Sequence, residues 1–176
     1  MHEPRARGVS LWLMPEGEVG GRLTALVASL AARLGTAPFP PHVTLLPGIE
    51  GVPDGEVLAV SRTLAGGLRP LAVRLVGAEG RDEPFRCLFA RASADAPLVS
   101  AHAAASRAFG REPDPAFFPH LSLVYGALGA EVKERLAAEL RSEACTAFAA
   151  LRLHAWRTEG EVVAWREIGS FAFPPA

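Results

Sequence analysis

Four side chains in this sequence could do chemistry together. His42 and Thr44 sit in Pro41-His42-Val43-Thr44-Leu45, and His120 and Ser122 sit in Pro119-His120-Leu121-Ser122-Leu123. Both segments read P-H-(apolar)-(S/T)-L, and they lie 120 − 42 = 78 residues apart. Alternate residues on a strand share a face, so each imidazole projects beside its hydroxyl. If the two copies pack about a pseudo-twofold axis, two imidazoles and two hydroxyls meet in one cleft. Near neutral pH one imidazole can be charged and the other neutral. One then takes a proton from water while the other gives a proton to a leaving oxygen. Hydroxyls can donate to the non-bridging oxygens of a phosphate. This set suits in-line attack of water on a phosphodiester. A strained cyclic phosphate is the natural substrate, and nothing in the set calls for a metal.

Rival chemistries fit less well. Zinc needs three or four convergent His, Cys or carboxylate ligands, whereas here two histidines come with hydroxyls. A serine-nucleophile site is disfavoured because no G-x-S-x-G elbow is present. Ser122 also projects parallel to His120 on one strand. Gly17-Glu18-Val19-Gly20-Gly21 has neither the Walker lysine nor dinucleotide spacing and reads as a helix entry. His2 falls in a polar terminus, His102 among alanines in a helix, and His154 on a strand with Arg152 and Trp156. None of these three is expected to be catalytic.

The elements that must position the pair follow from periodicity. Val9–Met14 reads as a strand. Val19, Leu23, Leu26, Val27, Leu30 and Leu34 mark one face of a helix over 18–34, with Gly35 as its stop. Pro38, Pro40 and Pro41 force an extended approach to His42. Val57, Val60, Leu64 and Leu68 mark a second helix that ends near Gly66-Gly67, and Leu71–Val76 is a strand. The second half repeats this order. It has a strand at Phe85–Ala90, a helix at Leu98–Phe109, an approach through Pro113, Pro115 and Pro119, and a strand from His120 to Tyr125. A helix through Val132, Leu136 and Leu140 follows, then strands at 147–157 and 161–173 around a Glu159-Gly160 hairpin.

The paired H-x-[ST]-L motifs resemble the signature of the two-histidine phosphoesterase superfamily. Several flanks resemble its cyclic phosphodiesterase-like branch more than its RNA ligase-like branch. They are Ser10-Leu11-Trp12-Leu13-Met14-Pro15, Phe85-Arg86-Cys87-Leu88-Phe89, Tyr125-Gly126 and Trp165-Arg166-Glu167. The resemblance spans about residues 9–173. It implies a single bilobal α+β domain over 1–176. Its two mainly antiparallel sheets would face a central cleft, with helices outside. One lobe (about 9–80) would carry His42 and Thr44, the other (about 84–173) His120 and Ser122.

The resemblance also implies cofactor-free opening of a nucleoside 2′,3′-cyclic phosphate to the 2′-phosphate, or of ADP-ribose 1″,2″-cyclic phosphate. His120 would be the base for water and His42 the acid for the leaving oxygen. Thr44 and Ser122 would bind phosphate oxygens, Tyr125 would line the phosphate pocket, and Trp12 and Phe85 would flank the base or ribose. On a regular strand Tyr125 faces away from His120, so it reaches the site only if the strand ends there. Arg86 and Arg166 are further candidate contacts. The alternatives are an RNA 2′,5′-ligase or RNA-end phosphodiesterase, and a non-catalytic module binding nucleotides or RNA ends.

Composition bounds these readings. The 176 residues are 49% hydrophobic and 21% charged, which is a globular chain long enough for its own core. The formal net charge of −1 argues against a protein gripping long polynucleotide through many phosphates, and so against the ligase branch. Two cysteines, Cys87 and Cys145, form no disulfide framework. The apolar run at Val9–Met14 is too short for a signal core or a membrane span. A cytoplasmic monomer with no membrane partner is the expectation.

Overall fold

The computed structural model describes residues 5–175, so His2 lies outside the described residues. The strands are β1 (Val9–Leu13), β2 (Val43–Ile49), β3 (Leu71–Glu79), β4 (Leu88–Ala92), β5 (His120–Val124), β6 (Cys145–Ala150), β7 (Arg152–Arg157) and β8 (Arg166–Ala172). The helices are α1 (Gly17–Leu34), α2 (Asp54–Gly67), α3 (Ala96–Ala108) and α4 (Ala130–Glu139). The strands form one sheet in the order β6-β3-β4-β5-β2-β1-β7-β8, and every pairing is antiparallel. The centre of the sheet is its thinnest seam, because β2 and β5 share only the pair Val43↔Leu121. The two expected sheets are therefore the two four-stranded halves, joined at one point. Each chemical motif starts at that seam and diverges from it.

The halves are not contiguous in sequence. β3 pairs with β4 and β6, while β7 returns to pair with β1 and β8 adds outside β7. The sequence places 147–157 in one strand, but the structure breaks it at Leu151. One residue is too short to turn a hairpin. The chain runs on through the break, from one edge of the sheet to a strand near the other. This continuity holds the sheet in its half-barrel curl. A second shift is at Phe85, which lies in a short 3-10 turn, Pro84–Arg86, ahead of β4. Pro84 favours that turn because it donates no ladder hydrogen bond.

Helix α1 buries Leu23, Val27 and Leu30 and packs against β5 and β6. Its stop is Gly35, whose φ of 64° suits a left-handed cap, with the N–H donating to the Ala31 carbonyl. Helix α2 covers β7 and β8, α3 lies on β2 and β3, and α4 lies on β3 and β4. All five residues of β1 are buried, as expected for a strand in the middle of a half-sheet. Among the described residues no helix is long and apolar enough to cross a membrane.

Candidate active site

Each motif builds the same local device. A carbonyl can only accept, so Nδ1 of His42 carries the hydrogen and donates to the Pro40 carbonyl at 2.7 Å. Nδ1 of His120 donates in the same way to the Phe118 carbonyl at 2.9 Å. In both cases the acceptor lies two residues back, with a proline between. That proline keeps the preceding residue extended and sets its carbonyl beneath the ring. The tautomer is thereby fixed, and Nε2 becomes the edge each ring offers to a substrate.

Both rings line one cavity of about 400 Å³, a size that suits a nucleotide. Thr44, Ser122, Tyr125, Phe85 and Trp12 line it too, so the structure brings all seven sequence-derived site residues to one place. Ser122 is buried and its hydroxyl donates to the Phe85 carbonyl at 2.9 Å. That hydrogen must turn away from Phe85 before it can serve a phosphate. Tyr125 stands one residue past β5. The strand ends there at Gly126, whose φ is 126° and whose N–H donates to the Pro84 carbonyl at 2.9 Å. Freed from strand alternation, the Tyr125 hydroxyl donates to Nε2 of His42 at 3.4 Å.

Electrostatics separate the two imidazoles. Burial pushes His42 down to about 3; the Pro40 carbonyl opposes this and His120 adds to it. His120 is lowered as well, first by burial, with Arg86 and Arg81 adding to the effect and the Phe118 carbonyl and Glu83 opposing it. Burial raises the Tyr125 phenol above its ordinary range, with Ser122 offsetting part of the rise, so it stays a donor.

Trp12 lines the cavity, but its ring leaves almost no free surface for a base to stack on. Its ring is 1% exposed, with His42 stacked on it at 3.5 Å and 9° and Trp156 stacked at 4.6 Å and 20°. With these rings already stacked on it, the indole is a support for His42. Trp12→Ala should therefore cost about 3–5 kcal/mol of stability, as other deletions of large buried aromatics do. Denaturation midpoints would test this. A variant that kept full stability and only raised KM would restore the base-platform role.

The half-buried aromatic lining of the cavity is Phe85 and Trp165, with rings inclined by 27° and centroids 6.2 Å apart. Tyr125 meets both edgewise, at 5.2 and 5.7 Å. Sequence patterning puts Trp165 in the closing strand and gives it no site role. The structure puts it in the loop before β8. Arg86 lines the cavity; Arg166 is exposed and does not.

The remaining described histidines have other partners. His102 donates from Nδ1 to the Leu45 carbonyl at 2.8 Å and accepts from the Asp114 N–H at Nε2 at 3.2 Å. It stacks on Phe117 at 4.0 Å and so ties β2 to the approach to His120. His154 pairs with Glu167 at 3.0 Å and lies outside the cavity lining. Among the described residues no group of three or more His, Cys, Asp or Glu converges as a metal site.

Two imidazoles and two hydroxyls at the seam of a bent antiparallel sheet define a two-histidine phosphoesterase arrangement. The chain belongs to the 2′-5′ RNA ligase superfamily, whose family model matches residues 35–162 and so takes in both motifs. That family bears the ligase name, so membership alone does not select the cyclic phosphodiesterase-like branch towards which the flanking residues lean. No curated protein sequence matches the chain. Among solved structures, TT0787 of Thermus thermophilus superposes with a TM-score of 0.62 at 18% identity, over 94% of this chain and 97% of that one. LigT of E. coli complexed with 3′-AMP gives 0.59 at 14% identity, over 97% and 99%. The same protein complexed with phosphate gives 0.56 at 15% identity, over 97% and 99%. At these identities the likeness is one of fold.

Proposed function

We propose that this protein hydrolyses a cyclic phosphodiester, with a nucleoside 2′,3′-cyclic phosphate as the simplest substrate and no metal required. One observation carries the reading. Both imidazoles are locked through Nδ1 to a carbonyl two residues back and present Nε2 to one nucleotide-sized cavity that also holds Thr44 and Ser122. Water attacks phosphorus and gives its proton to one Nε2. The phosphorus–O3′ bond breaks, O3′ takes the proton from the other Nε2, and the product is the 2′-phosphate. His42 and His120 suit the acid and base roles respectively. The more deeply buried imidazolium of His42 is the stronger acid towards a leaving oxygen, and His120 is the stronger base of the two. The anionic substrate supplies the charge that stabilises a proton at this site.

Turnover of adenosine 2′,3′-cyclic phosphate in EDTA, followed by phosphorus NMR, tests the reading. Adenosine 2′-phosphate is the expected product. Product only after adding a divalent cation would overturn the metal-free route. A 5′-hydroxyl in place of water would turn the same chemistry into 2′,5′-ligation. The family name and a cavity that continues beyond the imidazoles favour keeping an RNA end as the second substrate class.

A further inference from the structure

The cavity does not stop at the imidazoles. From Thr44 it follows β2 to Pro47 and Gly48, four residues of strand or ~13 Å at about 3.3 Å per residue. Arg7, in the segment ahead of β1, and Arg111, in the stretch after α3, both line this cavity. Both segments are held in place. Gly8 has a φ of +65°, and a Cβ there would stand 2.2 Å from the Ile49 carbonyl oxygen, so only glycine lets this segment lie against the end of β2. Arg111 donates from Nη1 to the Pro47 carbonyl at 2.6 Å, which ties its guanidinium to the opposite element. Ser10 and Thr158 line the cavity as well, their hydroxyls 3.0 Å apart. Neither arginine pairs with a carboxylate among the described residues.

A cyclic mononucleotide carries one nucleoside, which the arm lined by Phe85 and Trp165 can hold. The arginine arm is surplus to that reaction. We propose that Arg111 and Arg7 form a subsite for a second phosphoryl group, joined to the 5′ oxygen of the ribose whose cyclic phosphate reacts. The inference rests on the hydrolytic reading above. Guanidinium groups match phosphoryl oxygens in both charge and geometry. Two substrate classes carry such a group: an oligonucleotide end, through its last phosphodiester, and a cyclic phosphate of ADP-ribose type, through its diphosphate. Glu112 and Asp114 line the same arm. Asp114 is engaged, accepting from the Ala116 N–H at 2.8 Å. Glu112 opposes an anion. The subsite is thus fitted to one or two phosphoryl groups and not to a long polyanion.

The test compares kcat/KM for four substrates. They are adenosine 2′,3′-cyclic phosphate, its 5′-phosphorylated form, an ApA dinucleotide ending in the cyclic phosphate, and ADP-ribose 1″,2″-cyclic phosphate. At least one 5′-phosphoryl substrate should exceed plain adenosine 2′,3′-cyclic phosphate by about tenfold or more, and which one does so identifies the class. Arg111→Ala and Arg7→Ala should each cut that ratio at least about fivefold, and Glu112→Gln should raise it. Equal kcat/KM across the four substrates, or a ratio untouched by both arginine variants, would overturn the subsite. If no cyclic phosphate is hydrolysed, the hydrolytic reading fails and binding decides the subsite. Calorimetry should then show adenosine 3′,5′-bisphosphate binding more tightly than adenosine 3′-phosphate, with the difference lost in Arg111→Ala. No difference in the wild type would end the proposal.

Discussion

Alanine at His42 or at His120 should lower turnover of a 2′,3′-cyclic nucleotide by at least about a hundredfold, because each imidazole carries a proton transfer typically worth roughly 10²–10⁴. The double variant should be little worse than the poorer single one, since an acid and a base that act on the same transition state fail together. Fold loss has to be separated from loss of chemistry. His42 is buried against Trp12, so His42→Ala leaves a void in a stacked arrangement. His120 is half-buried and meets Phe89 and Phe118 at 5.3 and 5.8 Å, so its replacement disturbs less packing. His120→Asn is therefore the cleaner variant. It should keep its near-ultraviolet circular dichroism and its affinity for adenosine 3′-phosphate while turnover collapses. Unchanged rates in His120→Asn would remove the acid–base assignment. A wild type that binds nucleotides but turns over none would be a binding module on this fold.

The sequence exposes the chemistry of this site better than its surroundings. The P-H-(apolar)-(S/T)-L repeat is legible because proline, imidazole and hydroxyl act within five consecutive residues. The same locality makes the Gly35 stop and the buried face of α1 readable. Tyr125 shows where locality begins to fail. Strand alternation turns it away from His120, and only the end of β5 at Gly126 brings its hydroxyl to His42.

Non-local pairing hides the rest. Trp12 looks like a nucleobase platform until β7 carries Trp156 to the side away from His42. Trp165 gives no signal of its own, because its place in the cavity depends on the loop between β7 and β8. The arginine arm joins the chain before β1 to the chain after α3, and no short pattern encodes that meeting. One clue is legible at Ser10. It is a polar residue in an otherwise apolar strand, two positions from Trp12 and so on the same face, and it lies on the arm. The near-neutral charge speaks only against a long polyanion and leaves a site for one or two phosphoryl groups open.

The pH profile should separate free protein from complex. A cyclic phosphodiester keeps one negative charge across the working range, so changes in kcat/KM report the free protein's histidines. The active form holds one proton on the pair, whichever ring carries it. Both imidazoles are held below the ordinary value of 6.5, with His42 at about 3. Above the upper of the two values the free protein holds no proton on the pair. There kcat/KM should fall tenfold per pH unit, so a loss of about a hundredfold is expected between pH 6.5 and 8.5. The bound anion favours imidazolium, so the descending limb of kcat should lie at higher pH than that of kcat/KM. A kcat/KM plateau extending to pH 8 would contradict the burial argument. Stability changes in the opposite sense. Between pH 6.5 and 3 the unfolded chain takes up a proton that folded His42 refuses, so stability falls on acidification by up to about 1.4 kcal/mol per pH unit from this group. Acid destabilisation overlaps the ascending limb of the bell, so the descending limb of kcat/KM is where the pair is read.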